Sequence, residues 1–119
     1  MAGFFQTSCE TRELHNDVQL RTRYYRNSFV QTKDAIEKAG KEMGFEIRGF
    51  NQAHGEIDII GNGFEAIITA LQITPIETGV DIKMNLFSFI GMGKPKKLTL
   101  QIYALLDKLL KFKGVSLHP

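Results

Sequence analysis

Four strand-like segments follow one another between residues 45 and 90, and they constrain the fold more than any other feature of the chain. They are rich in isoleucine, valine, phenylalanine and threonine, which favour strands. The segments cover residues 45–51, 56–60, 64–74 and 80–90. Asn62-Gly63 predicts a type I′ hairpin, in which both central residues have positive φ. The following turn is predicted at residues 77–79, after Pro75, and such short connections favour an antiparallel meander.

An amphipathic helix is predicted on each side of this block. Ser28 with Gln31 three residues later fits a capping box, so the first helix begins there. It runs to about Met43, and Gly44 is its left-handed stop.

The second helix is predicted from Pro95 to about Lys113, because proline suits the first turn of a helix. Its apolar side comprises Leu98, Ile102, Leu105, Leu106, Leu109 and Phe112. Lysines occupy the opposite side. We therefore expect Leu105 and Leu109 to be buried against the sheet.

One more strand is predicted ahead of the first helix, at residues 18–24, where apolar and polar residues alternate. The order β-α-β-β-β-β-α predicts an α+β fold with a single antiparallel meander sheet and two helices packed on one face. This order is similar to a shortened helix-grip layout, and the likeness concerns architecture alone, since a fold does not fix a function. The 119 residues divide into an irregular N-terminal arm at 1–17, one domain at 18–113 and a short tail at 114–119.

Composition predicts a soluble, cytoplasmic protein. The chain has a single cysteine, Cys9, which excludes an internal disulfide. No apolar run approaches the roughly 20 residues that span a bilayer. The first ten residues lack the basic and apolar regions of a secretory signal. No membrane span is expected.

The formal net charge of +2 conceals a segregation of charge. Residues 34–81 hold nine acids and three bases, a net of −6, whereas residues 94–119 hold six lysines and one aspartate, a net of +5. A glycine-containing loop before the second helix adds free backbone donors to this basic part. The candidate anion site comprises Gly93, Lys94, Lys96 and Lys97. The alternative is a plain connector with solvated lysines.

A candidate nucleic-acid face lies in the predicted first strand. Arg21, Arg23 and Tyr25 share one side of that strand, and bases interleaved with aromatic residues suit phosphate contact and base stacking. Tyr24 then points into the core. The alternative is an ordinary exposed strand face.

No pattern in the sequence predicts a catalytic residue, a metal site or a cofactor. His54, Glu56 and Asp58 alternate along one short segment, but a metal centre needs more convergence than one strand provides. We therefore expect a small non-catalytic binding module. An anion or nucleic-acid binder is the alternative, and a small enzyme is the third.

The second face of the sheet is the predicted binding surface. Alternation assigns Phe64, Ala66, Ile68 and Ala70, with Val80, Ile82, Met84 and Leu86, to the face beneath the helices. The candidate partner or ligand face on the other side comprises Ile67, Leu71, Phe87 and Phe89. A hairpin closed at 77–79 puts Ile67 close to Phe87. Homodimerisation through this face is expected, with cover by Phe4 and Phe5, a small apolar ligand or another protein as alternatives.

Overall fold

The computed structural model describes residues 7–87 and 94–119. Two helices pack against an antiparallel sheet that has seven strands in these residues. The strands are β1 (Ser8–Glu10), β2 (Arg23–Tyr25), β3 (Phe45–Asn51), β4 (Glu56–Gly61), β5 (Phe64–Thr74), β6 (Glu77–Leu86) and β7 (Phe112–Val115). The helices are α1 (Phe29–Met43) and α2 (Lys94–Leu109). The predicted α+β class and meander are confirmed.

Strands β3 to β6 form the meander, and the remaining strands extend it beyond β6. The strand order is β3-β4-β5-β6-β2-β7, with β1 also paired to β6. β1 pairs with residues 83–85 of β6, and β2 pairs with residues 78–80. One long strand therefore holds two short ones end to end.

The caps predicted for α1 are confirmed. The Ser28 side chain accepts from the Gln31 backbone N–H, and the Gln31 side chain accepts from the Ser28 N–H. Gly44 ends the helix with φ +82°, a left-handed conformation that favours glycine. Gly40 lies so close to β3 that a Cβ there would meet the Phe45 carbonyl oxygen, so α1 packs tightly against the sheet.

The core lies between the helices and one face of the sheet. Alternate residues of β5 and β6 point towards the helices, and Ile68 opposite Ile82 is fully buried. The other predicted inward residues are buried as well, except Leu86, which is partly buried.

Both predicted hairpin turns differ in detail from the structure. Gly63 has φ +87°, but Asn62 does not have positive φ, so the turn has the pattern of type II rather than type I′. The next turn is at Pro75 and Ile76, and residues 77–79 belong to β6. Pro75 itself fits the first central position of a turn, and the Thr74 hydroxyl accepts from the Ile76 N–H at 3.2 Å.

The predicted strand at 18–24 is mostly wrong. Val18–Leu20 form a single 3-10 turn, and only Arg23–Tyr25 are a strand. The Asp17 carboxylate accepts from the Gln19 N–H at 3.0 Å, and this local cap outweighs the alternating pattern. The segment 1–17, expected to be irregular, contains β1.

The second helix ends earlier than predicted, at Leu109. The Lys111 N–H donates to the Asn27 side chain at 2.8 Å, and the Lys111 carbonyl accepts from the Arg26 N–H at 2.7 Å. These bonds turn the chain into β7, which includes Phe112. Leu105 packs against the core but is only partly buried, and Leu109 is 42% exposed. The predicted burial is therefore wrong for Leu109 and only partly right for Leu105. Ile102 and Leu106 fill the core instead.

Replacing Leu106 with alanine should lower the free energy of unfolding by about 2 to 5 kcal/mol, because it empties a packed site. The matched Leu109→Ala change should cost no more than about 0.5 kcal/mol, since that side chain is half exposed. Urea unfolding of both variants measures the difference. Equal costs would contradict this description of α2.

Candidate functional site

The face of the sheet away from the helices is called the outer face. Along β5, the pairing with β6 turns Ile67, Thr69 and Leu71 outward, and Ile73 follows at the register shift between Gln72 and Thr74. We call these four residues the β5 stripe. Ile67 is 38% exposed, Leu71 57% and Ile73 36%. Six residues of strand span about 20 Å at roughly 3.3 Å each. The outer face therefore carries a long apolar ridge.

Charged residues border the β5 stripe through the strand register. Ile67 lies between Asp58 of β4 and Lys83 of β6. Thr69 lies between Glu56 and Asp81 in the same way. The stripe therefore has an acidic flank on its β4 side.

Acids outnumber bases over the whole outer face. The acids are Glu10, Glu46, Glu56, Asp58, Glu65, Glu77 and Asp81. The bases are Arg48 and Lys83, together with Lys113 of β7, which reaches Glu77. Arg48 pairs with Glu65 at 3.0 Å. The described face therefore has a net negative formal charge, which favours cationic groups.

The C-terminal residues cover one end of the outer face. Leu71 opposes Gly79, and the Tyr24 ring lies so close to Gly79 that a Cβ there would meet it at 2.7 Å. The His118 ring packs on Tyr24 with centroids 5.0 Å apart. The Tyr24 hydroxyl donates to Glu13 at 2.8 Å, and the same carboxylate accepts from the His118 N–H at 2.6 Å.

Glu77 anchors this cover, which we call the C-terminal clasp. Its carboxylate accepts from Lys113 Nζ at 2.6 Å and lies 3.0 Å from His118 Nε2. Its side chain is only 12% exposed. The Lys113 ammonium, followed by His118, holds the pKa of Glu77 below its ordinary value of 4.5.

The lowered pKa predicts how acid affects stability. The charged Glu77 stabilises the fold above pH 4.5, and this contribution is lost as pH falls through the lower pKa of the folded state. Glu77→Gln should therefore lower the urea midpoint at pH 7, and the gap to the parent protein should narrow towards pH 3. The Glu37→Gln variant, on the exposed side of α1, is the control. A gap that is constant with pH would refute the role of the Glu77 charge.

Asp81 is a structural group rather than a free acid of the face. It accepts from the Thr11 hydroxyl at 2.6 Å and the Thr22 hydroxyl at 2.8 Å. Burial raises the pKa of this carboxyl, and the two hydroxyl donors oppose the rise. The contacts tie the junction of β1 and β2 to β6.

The predicted nucleic-acid face is not formed by these residues. Arg23 makes a bidentate pair with Asp107, with the shorter contact at 2.7 Å, and Tyr25 donates to the same carboxylate at 2.8 Å. Tyr25 is fully buried on the helix side, whereas Tyr24 points to the outer face, the reverse of the prediction. Arg21 donates to the His15 carbonyl at 2.8 Å. A buried tyrosine is inaccessible to a nucleobase.

The lysines of the predicted anion site begin α2. Lys94 and Lys97 are exposed, but Lys96 pairs with Asp17 at 2.6 Å. A surface depression of about 460 Å³ beside them is lined by Gln19, Lys96, Lys97, Leu100, Gln101 and Ala104. Gly93 lies outside the described residues. The Lys96 ammonium also lowers the pKa of Asp17, so part of the local positive charge is already balanced.

The predicted partner face is only partly brought together. Ile67 opposes Lys83 rather than approaching Phe87, because the turn at Pro75 and Ile76 shifts the register. Phe87 is 57% exposed and its N–H donates to the Gly63 carbonyl, beyond the end of the β5 pairing. Phe89 lies outside the described residues. Ile67 and Leu71 belong to the β5 stripe, while Phe87 is separate from it.

Sequence reasoning missed two parts of this surface. The acidic flank could have been predicted from the sequence, since Glu56 and Asp58 alternate with the apolar Ile57 and Ile59, which are buried. The C-terminal clasp could not, because Glu77 and His118 are 41 residues apart and no local pattern connects them.

Residues 7–87 and 94–119 do not support a metal site, a membrane-spanning helix or a reactive thiol. These residues contain no group of three or more histidine, cysteine or acidic side chains placed to hold a metal ion. No helix among them has the length and apolarity required to cross a membrane. Cys9 is buried, and burial raises the pKa of its thiol. A thiol of this kind is a poor nucleophile.

Comparisons with known proteins leave the outer face as the main guide to function. The sequence matches no known protein-family model and no curated protein.

Proposed function

We propose that the chain is a small, soluble, cytoplasmic, non-catalytic binding module, and that the outer face of its sheet binds a protein partner. The observation that carries this proposal is the β5 stripe. Its apolar side chains stay partly exposed among the described residues, although the inward residues of the same strand from Phe64 to Ala70 are buried. A row of large apolar residues left on a monomer is typical of an interface.

The shape of the surface favours a macromolecule over a small ligand. Small ligands bind in enclosed cavities, where most of their surface is buried. The larger depressions beside α2 lie on the helix side, away from the stripe. A depression that reaches Leu71, beside Gly55 and Gln72, has a volume of only about 180 Å³, which is below the usual range for ligand pockets. A flat sheet face gains affinity by contact area instead, which a protein partner supplies.

The alternatives have less support. An anion or nucleic-acid binder would need Arg23, Tyr25 and Lys96 to be free for a ligand. Arg23 and Tyr25 instead bind Asp107, and Lys96 pairs with Asp17. An enzyme requires titratable groups that converge on a cavity. Asp81 and Glu77 are instead held by contacts within the fold.

Self-association through this face stays a prediction, and charge weighs against its face-to-face form. Such a dimer would bring two acidic surfaces together, and like charges across an interface are costly. Lys83 is the only base of the described face that has no acid paired to it by a salt bridge. A partner of a different kind fits the face better.

Site-specific photocrosslinking in the cell of origin tests the proposal. A benzophenone side chain in place of Leu71 should form a discrete adduct with a protein. The same group at Val30, which is 55% exposed on α1, should not. Changing Ile67 and Ile73 to serine should remove the adduct while the protein stays folded, with the thermal midpoint lowered by no more than about 10 °C, because both side chains are partly exposed and only part of their apolar area is lost.

Three results would overturn the binding face. They are no adduct at position 71, equal adducts at 71 and 30, and a large loss of stability in the serine variant. The last would mean that the chain covers the stripe itself. An adduct at about twice the chain mass of 13.5 kDa would identify a second copy as the partner.

A further inference from the structure

The electrostatics of the outer face restrict which partner it can take. Glu56 and Asp58 line the β4 side of the β5 stripe, and both are outward residues of the strand next to it. Salt bridges in the described structure leave both carboxylates without a cation. A partner with acidic side chains would be repelled, whereas lysine or arginine side chains would gain from both carboxylates.

The protein already shows how this face accepts a chain segment. The C-terminal clasp lies at one end of it, where Lys113 of the edge strand β7 and His118 of the segment after β7 reach the Glu77 carboxylate. The His118 ring rests on Tyr24 at 5.0 Å. The clasp thus combines a cation on a carboxylate with a ring packed beside it. The uncovered part of the face offers a similar pair of groups, the Asp58 carboxylate and the apolar Ile67 side chain.

The dimensions of the stripe suit a helix. A helix rises 1.5 Å per residue, so the roughly 20 Å between Ile67 and Ile73 corresponds to about 13 residues. A sheet face binds one apolar side of such a helix, as the inner face of this sheet binds α1 and α2. The residues beside that apolar side would then meet the acidic flank.

We infer that the outer face binds a basic amphipathic helix of another protein, with apolar side chains on the β5 stripe and lysines or arginines on Glu56 and Asp58. This inference rests on the proposed function. It adds the charge and the secondary structure of the partner.

Peptide binding to the full chain tests the inference. The probe is a fluorescent helical peptide of about 16 residues, with leucines along one side and lysines beside them. The matched peptide has glutamate in place of every lysine. In anisotropy titrations the lysine peptide should bind at least about tenfold more tightly, and its affinity should fall between about 50 and 500 mM NaCl as screening increases. A lysine peptide with serine in place of leucine should bind weakly.

Variants of the protein locate the contact. Leu71→Ser should weaken the lysine peptide by about tenfold, the loss expected for one buried leucine. Glu56→Gln with Asp58→Asn should weaken it by about threefold to tenfold and reduce the salt dependence. The control neutralises two exposed acids of α1, Glu37→Gln with Glu42→Gln, and changes the net charge equally. This control should bind as the parent protein does.

The outcomes separate the inference from the proposed function. Equal binding of the lysine and glutamate peptides, or equal weakening in the control, would overturn the basic helix. If the Leu71 adduct still forms in that case, the face is a binding surface for different chemistry. A dimer in sedimentation that Leu71→Ser converts to a folded monomer would assign the face to a second copy, and would also overturn the basic helix.

Discussion

The pairing of β5 with β6 is the interaction on which the rest of the structure depends. These are the two longest strands, and their register sets which residues face the helices and which face away. Ile68 opposite Ile82 places two fully buried residues at the centre of the core. The same register places Ile67 beside Lys83 on the other side. One pairing therefore fixes both the core and the candidate binding surface.

A polar junction completes the sheet where β1 and β2 meet along β6. The Thr11 hydroxyl accepts from the Ile82 N–H at 2.9 Å and donates to Asp81 at 2.6 Å. The Tyr103 hydroxyl of α2 donates to the Val80 carbonyl at 2.7 Å and lies 3.1 Å from Thr11. The backbone groups of Val80 and Ile82, which lie in the gap between β1 and β2, therefore have hydrogen-bond partners, as buried polar groups require. The junction also ties α2 to the middle of the sheet.

Sequence reasoning succeeded where strong local patterns decide the structure and failed mainly where distant contacts do. The strand predicted at 18–24 is an exception, because a local cap by Asp17 overrode it. Alternation in the long strands and the cap at Ser28 predicted the meander, the inward residues and α1, because each signal acts within a few residues. The end of α2 depends on Asn27, which is 84 residues from Lys111, and no pattern near Leu109 reveals it. The exposed stripe was predictable in part, since alternation along β5 assigned Ile67 and Leu71 to the face away from the helices. Their neighbours depend on register, and the turn at 75–76 shifted it.

The edge strands of the sheet decide how other chains can join it. β3 lies at one edge, and its pairing with β4 is irregular between Ile47 and Gly49. Irregular pairing bends an edge and hinders the addition of another strand. On the other side, the edge is formed by β7, which has four residues, and by β1, which has three. Among the described residues, no edge offers the long regular ladder on which amyloid-like stacking or peptide-strand capture depends. This architecture therefore directs association to its broad surfaces.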